Sequence, residues 1–133
     1  MVVPFVDLDA QYKEIRAEIN VAIANVINSS KFIGGEDVIK FEEEFANYIV
    51  SAYCIGVNSG TDALILGVRA LELGQGDEVI IPANTYMSGA LAVSENGAKP
   101  VFADIDEEDF GINLKDLTNK INNRTKAVII THL

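Results

Sequence analysis

The stretch "GVNSGTDALILGVRAL", Gly56 to Leu71, passes from a small, polar loop into a segment with helical periodicity. An apolar run of strand length, Tyr53 to Val57, leads into the loop. The loop residues Ser59 to Thr61 therefore predict the point where a strand ends and a helix begins. The segments on either side of this junction decide the fold class.

Strand-sized and helix-sized segments alternate after this junction. The predicted strands are 53–57, 78–81, 100–103 and 127–131, the helices between them are 61–73, about 87–96 and about 114–121, and two leading helices cover 9–29 and 36–49. Because the strands are apolar along their length, we expect a parallel sheet with helices on both faces. The prediction is a doubly wound α/β layer over residues 51–133, preceded by leading helices over residues 1–50.

Composition limits the classes of function. The chain has 133 residues, of which 49% are hydrophobic, which suits one core. Its net charge of -10 and pI near 4.4 argue against sequence-independent binding to nucleic acid or to anionic membranes. No apolar run reaches the roughly 18 residues of a membrane span, and no signal peptide is evident, so a soluble cytosolic protein is expected. One cysteine, Cys54, and one histidine, His132, do not suffice for an internal disulfide or a closed zinc site, and we expect no metal.

Polar residues collect where the predicted strands end. Ligands of such sheets bind at the carboxyl ends of the strands. The residues found there are Asn58 to Asp62 after the first strand, Pro82 to Tyr86 after the second, Asp104 and Asp106 after the third, and Thr131 and His132 at the fourth. This edge is the expected ligand site.

The loop "NSGT" has two interpretations. The first amides of a helix are unpaired donors at the positive end of the helix dipole, and glycine allows close approach, so the loop can hold a phosphate without a lysine. The same residues also make an ordinary N-cap, with Ser59 or Thr61 as the cap. Both remain open at this point. The spacing of the glycines matches neither a Walker loop nor a dinucleotide-binding motif.

The other edge residues are also ambiguous. Tyr86 suits stacking on a planar cofactor ring, or packing at the top of the core. Asp104 and Asp106 could form an acid/base pair, but "DIDEEDFGIN" is more typical of a solvated turn. His132 has no visible partner and receives no role.

Several blocks resemble, in order, those of one enzyme family. They are "VPFVDLDAQY", "FIGGEDVIKFEEEFANYI", "GVNSGTDALILGVRAL", "GDEVIIPANTYMSGALAV", "KPVFADID" and "TKAVIITHL". The chain resembles the DegT/DnrJ family of nucleotide-sugar aminotransferases over essentially its whole length. That resemblance implies a pyridoxal phosphate enzyme of the aspartate aminotransferase fold (fold type I), with this chain as the N-terminal part of the large domain.

The resemblance also implies roles for individual residues. Gly60 and Thr61 match the positions that hold the cofactor phosphate, with Ser59 beside them. Tyr86 matches the aromatic position that stacks on the pyridine ring. Phe32 to Gly35 resembles a glycine-containing loop near the active site, with no contacts assigned.

The implied reaction is transfer of an amino group, usually from glutamate, to a keto group on a nucleotide-linked sugar. The amino-acid sequences of these blocks are most similar to those of members that act on dTDP-linked 3-keto-6-deoxyhexoses. Members of the family are dimers with active sites between subunits, so a homodimer is expected, and the composition above gives the cytoplasmic expectation.

The lysines depart from the family pattern. None of the seven lies at a predicted carboxyl edge, where the Schiff-base lysine is required, and in the family both that lysine and the carboxylate facing the pyridinium come later than "THL". We therefore expect the N-terminal portion of a longer enzyme, inactive by itself. The alternatives are a pyridoxal phosphate-dependent nucleotide-sugar dehydratase of the same fold, and a non-enzymatic α/β binding domain.

Overall fold

The computed structural model describes residues 3–132, and the chain divides after Gly56 into two compact units. The first unit contains α1 (Leu8–Ser29) and α2 (Glu36–Tyr48). The second contains α3 (Gly60–Ala70), β1 (Glu78–Pro82), α4 (Ser88–Glu95), β2 (Lys99–Ala103), α5 (Leu114–Lys120) and β3 (Thr125–Val128).

Both leading helices form where the sequence predicts them. At the start of α1, the Asp7 carboxylate accepts a hydrogen bond of 2.9 Å from the Ala10 amide, and the helix ends at Ser30 in a left-handed conformation. In α2, two acids in the first turn favour the helix through its dipole. Phe41 and Phe45, one turn apart, stack with their centroids 5.6 Å apart.

The predicted strand at 53–57 is wrong, because this segment is irregular. A strand requires a neighbour to complete its backbone hydrogen bonds, and no strand within residues 3–132 pairs with it. Side chains bond to its polar groups instead. Ser51 Oγ donates to the Tyr53 carbonyl at 2.9 Å, and the Gly56 amide donates to Glu42 Oε1 at 2.7 Å. Cys54, which lies in this segment, is a half-buried free thiol.

The sheet has the strand order β2-β1-β3, and both pairings are parallel. The central strand β1 is buried along its whole length. The connection through α4 leads from β1 to β2, which lies on one side of β1. The connection through α5 leads from β2 past β1 to β3, which lies on its other side. Since such crossovers are right-handed, α4 and α5 lie on opposite faces of the sheet. This arrangement confirms the doubly wound α/β prediction.

The core of the second unit lies between the sheet and the pair α3 and α4. Its buried side chains are Val68, Val79, Ile81, Ala90, Ala92, Val93 and Ala98. Asn96, at the end of α4, joins the two helices. Its Nδ2 donates to the carbonyls of Ile65 at 3.0 Å and Ala92 at 2.8 Å, and its Oδ1 accepts from Arg69 Nε at 3.2 Å.

A polar cluster holds the amino ends of the three strands together. Glu78 of β1 is only 4% exposed and accepts hydrogen bonds from Asn122 Nδ2 at 2.8 Å and Lys99 Nζ at 3.4 Å. Its Oε1 lies 2.9 Å from Arg124 Nη2. The hydrogen bond from Asn122, helped by the two cations and opposed by burial, lowers the pKa of the Glu78 carboxyl.

Across residues 3–132, no single helix is both long enough and apolar enough to cross a bilayer.

Candidate functional site

A cleft opens at the carboxyl edge of β1 and β3 in the second unit. Its volume is about 410 Å³, within the usual range for small-molecule sites. Its lining comes from α3, from the loop after β1 and from the residues after β3, and includes Leu64, Pro82, Thr85, Tyr86, Ile130, Thr131 and His132. The predicted location of the ligand site, at the strand ends, therefore coincides with a formed cleft.

The start of α3 lies at the same edge. The end of this helix leads through a short turn to the amino end of β1, so its start points toward the carboxyl ends of the strands. Thr61 and Leu64 are three residues apart and therefore share a helix face, and both are half-buried. Since Leu64 lines the cleft, the first turn of α3 is within about one helical turn of it.

Ser59 is the N-cap of α3. Its Oγ accepts from the Asp62 amide at 3.1 Å and lies 2.9 Å from Asp62 Oδ2, and its carbonyl accepts from the Ala63 amide at 3.0 Å. The N-cap interpretation is therefore correct for this residue. Within residues 3–132, however, the amides of Gly60 and Thr61 have no acceptor, so the cap leaves two donors for an anion.

The side-chain position of Gly60 faces open space. A Cβ atom built there would meet no atom within 4 Å apart from its chain neighbours and the backbone of its own helix. A helix start with free amides and open space is a site that suits a phosphate group.

Tyr86 does not pack in the core, because its side chain is 79% exposed. The interpretation as a core tyrosine is therefore wrong. The residue lines the cleft, and on another side it borders a smaller cavity of about 160 Å³ together with Met87 and Phe102.

Two threonines join the walls of the cleft. Thr85 Oγ1 and Thr131 Oγ1 are 3.0 Å apart and partly buried. Sequence reasoning recognised that both lie at strand ends but gave neither a role, because a contact across 46 residues leaves no local signal. His132, also left without a role, lines the same cleft.

The acidic segment after β2 is a turn, as its composition predicts. Asp104 Oδ1 accepts from the Ile105 amide at 2.9 Å, and Asp106 Oδ1 accepts from the Glu108 amide at 2.9 Å. The Asp104 amide in turn donates to Asp116 Oδ2 at 2.7 Å, and this bond, with Lys120 beside it, lowers the pKa of the Asp116 carboxyl. The carboxylates are engaged in local structure and do not form an acid/base pair.

No lysine of residues 57–132 lines the cleft. Lys99 pairs with Glu78 at the opposite edge, Lys120 pairs with Asp116, and Lys126 Nζ donates to the Asn123 carbonyl at 3.3 Å. Across residues 3–132, no three side chains of the metal-binding types come together. The Phe32 to Gly35 segment lines a separate cavity within the first unit, about 460 Å³ in volume.

Known proteins resemble this chain in sequence and in structure. It is 44% identical to a dTDP-3-amino-3,6-dideoxy-alpha-D-galactopyranose transaminase from Aneurinibacillus thermoaerophilus, over 98% of this chain and 36% of the relative. The crystal structure of DesV from Streptomyces venezuelae, in complex with a ketimine intermediate, is 44% identical and superimposes with a TM-score of 0.90 over 98% of this chain and 35% of DesV.

A third relative bears on the cofactor. The structure of NtdA from Bacillus subtilis, with bound cofactor PMP, is 33% identical and has a TM-score of 0.88, over 98% of this chain and 30% of NtdA. The expectation of a pyridoxal phosphate enzyme is thus confirmed at the level of these relatives. The chain spans about a third of the length of the relatives it matches.

A family model covers nearly all of the chain. The match extends over residues 13–133 and is to the DegT/DnrJ/EryC1/StrS aminotransferase family. Together with the shared fold, it confirms the resemblance drawn from the sequence blocks. The chain belongs to the DegT/DnrJ/EryC1/StrS aminotransferase family, of which it represents an N-terminal portion.

Proposed function

We propose that the whole protein is a pyridoxal phosphate-dependent aminotransferase that transfers an amino group, from glutamate, to a keto sugar linked to a nucleotide. The most similar relatives favour a dTDP-linked 3-keto-6-deoxyhexose as the acceptor, since one of them is named for a dTDP-3-amino-3,6-dideoxy sugar. Residues 1–133 contribute the anchoring site for the cofactor.

One observation carries this proposal. The free amides of Gly60 and Thr61 begin α3, whose Leu64 lines the same cleft as the exposed Tyr86. Pyridoxal phosphate combines a dianionic phosphate with a flat aromatic ring. The donors, the open space over Gly60 and the neighbouring aromatic side chain fit both parts.

Each residue has a separate task in this site. The amides of Gly60 and Thr61 bind the phosphate, with the Thr61 hydroxyl as a further donor. Ser59 keeps the amides in place by capping the helix, and its hydroxyl reaches the phosphate only by releasing Asp62. Tyr86 orients the cofactor ring by stacking and excludes water from one of its faces. When bound, the cofactor supplies the electron sink for amino transfer.

The reacting groups come from another part of the protein. Amino transfer requires a lysine and a carboxylate beside the pyridine nitrogen, and no lysine of residues 57–132 lines the cleft. We propose that both are contributed by sequence that the relatives have and residues 1–133 do not. Residues 1–133 alone are then inactive.

A homodimer is the proposed assembly. Within residues 3–132, the first unit exposes apolar side chains that a second subunit or the rest of the protein would cover, including Ile23, Ile27, Phe41, Tyr53 and Ile55. The acidic charge of the chain argues against nucleic acid and anionic membranes as partners, and a cytoplasmic location fits nucleotide-sugar substrates.

The test compares two glycines of α3 in the whole protein. Gly60→Asp places a carboxylate where the phosphate should bind, and we expect loss of the cofactor absorbance band. Gly67→Asp makes the same change about 10 Å further along the helix, also into open space, and should retain the band. Equal cofactor binding by both variants would refute the site.

The reaction itself is tested with glutamate and a dTDP-linked keto sugar. An amino sugar and 2-oxoglutarate are the expected products. A dehydrated sugar without amine would instead support the dehydratase alternative, and a folded whole protein that binds no cofactor would support a non-enzymatic binding domain.

A further inference from the structure

The hydrogen bond between Thr85 and Thr131 connects two loops at the point where the sheet no longer does. The β1–β3 pairing is held by backbone bonds, and the last of these runs from the Ile129 amide to the Ile80 carbonyl at 2.9 Å. Beyond Ile129, within the described residues, the bond between the two hydroxyls is the one hydrogen bond that joins the loop after β1 to the residues after β3.

This bond lies next to Tyr86 in the chain. The Tyr86 side chain is 79% exposed, so packing against the rest of the unit restrains it little. The position of its Cα atom depends on the backbone at Thr85, which is half-buried. A restraint on the Thr85 side chain therefore also restrains the backbone position of Tyr86.

The same bond lies in the lining of the cleft. Thr85, Tyr86, Thr131 and His132 all line it, the first two from the loop after β1 and the last two from the residues after β3. Because the hydroxyls are partly buried, water competes with their hydrogen bond less than at a free surface.

We propose that Thr131 is a positioning residue for the cofactor ring: its hydroxyl holds Thr85, and through Thr85 it holds the backbone of Tyr86 at the place from which the ring stacks on the cofactor. This inference rests on the proposed function, in which Tyr86 stacks on pyridoxal phosphate. Thr131 does not touch the reacting atoms in this role.

The experiment compares Thr131→Val with Thr131→Ser in the whole protein. Valine keeps the shape of threonine and removes the hydroxyl, while serine keeps the hydroxyl. We expect Thr131→Val to weaken cofactor binding by about 2- to 12-fold, the value of one ordinary hydrogen bond, and to change the circular dichroism of the bound cofactor. Thr131→Ser should match the unchanged protein in both measurements.

A double substitution tests the coupling. Thr85→Val removes the same hydrogen bond from the other side, so combining it with Thr131→Val should weaken binding no more than either change alone. Thr85→Val also replaces Thr131→Val in the comparison if the latter fails to fold.

Three results would overturn the inference. They are unchanged binding and dichroism in Thr131→Val, a serine variant as weak as the valine variant, and a loss of thermal stability without any change in the bound cofactor. Tyr86→Ala separates this inference from the proposed function. If Tyr86→Ala leaves cofactor binding unchanged, stacking itself is wrong, whereas an effect of Tyr86→Ala without an effect of Thr131→Val refutes only the role of Thr131.

Discussion

Ser59 and Asp62 are bonded twice: the Asp62 amide donates to Ser59 Oγ at 3.1 Å, and the same Oγ lies 2.9 Å from Asp62 Oδ2. The pair closes the first turn of α3. It also means that Ser59 stabilises the helix before any ligand binds.

Replacing Ser59 should therefore reduce stability even without cofactor. We expect Ser59→Ala to lower the free energy of unfolding by about 0.5–2 kcal/mol, because an N-cap is lost. Ser59→Gly should cost only a few tenths, since glycine is tolerated at this position. Urea unfolding of the cofactor-free protein measures both. Equal stability of the alanine variant and the unchanged protein would contradict the capping role.

Tyr86 should contribute to cofactor binding through its ring and not through its hydroxyl. Tyr86→Phe keeps the ring and should retain the cofactor, whereas Tyr86→Ala should weaken binding by about 2- to 12-fold, the usual worth of an aromatic pair. Met87→Ala is the control, since Met87 is also exposed but lines the smaller cavity. Cofactor titration followed by absorbance distinguishes the three variants. Similar losses in Tyr86→Phe and Tyr86→Ala would argue against stacking.

Glu78 should make the second unit sensitive to acid. Its pKa in the folded state is lowered from the ordinary value of 4.5, so its contribution to stability is present above that value and is lost as pH falls through the folded pKa. We expect the urea concentration at the unfolding midpoint to decrease once the pH drops below about 4.5. Glu78→Gln should be less stable at neutral pH, and its stability should decline less steeply in acid. Glu107→Gln, in an exposed turn, is the control. The same acid dependence in Glu78→Gln and in the unchanged protein would refute the assignment.

Asn96 should be required for the packing of α3 on α4. Asn96→Asp removes the two donors to the carbonyls of Ile65 and Ala92 and puts a carboxylate beside them. The expected loss is about 1–3 kcal/mol in the free energy of unfolding, the cost of leaving partly buried acceptors unsatisfied. Asn119→Asp, on the exposed side of α5, makes the same chemical change without such contacts and should be nearly neutral. Chemical denaturation of both variants provides the comparison.

Local signals in the sequence predicted most elements of the fold. The helical periodicity of 36–49 and the apolar run 78–81 correspond to α2 and β1 within one residue. The predicted helix 61–73 ends earlier, at Ala70, because the chain turns at Glu72 with a φ of 56°. Such a backbone turn at a non-glycine residue has no clear signature in composition.

Errors arose where pairing, and not apolarity, determines a strand. The apolar run 127–131 predicts a strand, but β3 is Thr125–Val128, because pairing begins next to the Glu78 cluster and ends at Ile80, two residues before β1 ends. The run 53–57 has the same apolar character and forms no strand, since no neighbour within residues 3–132 completes its hydrogen bonds.

The cleft lies at the edge where the sequence predicts a ligand site, but the hydrogen bonds around it were not predictable. The rule that ligands bind at the carboxyl ends of parallel strands predicts that Ser59 to Thr61 and Tyr86 share one ligand site, which stays a prediction. It could not show that Ser59 is already bonded to Asp62, or that Thr85 and Thr131 meet across the cleft. Both facts depend on side-chain geometry, which a single sequence does not specify.

The strand order β2-β1-β3 also determines when the cleft can form during synthesis. The first wall, after β1, leaves the ribosome some 46 residues before the second wall, after β3, because β2 and α5 are made between them. Until β3 docks, one flank of β1 remains open and Thr85 has no partner. A nascent chain therefore cannot form both walls of this cleft before β3 is in place, and ligand binding then favours chains in which β3 has docked.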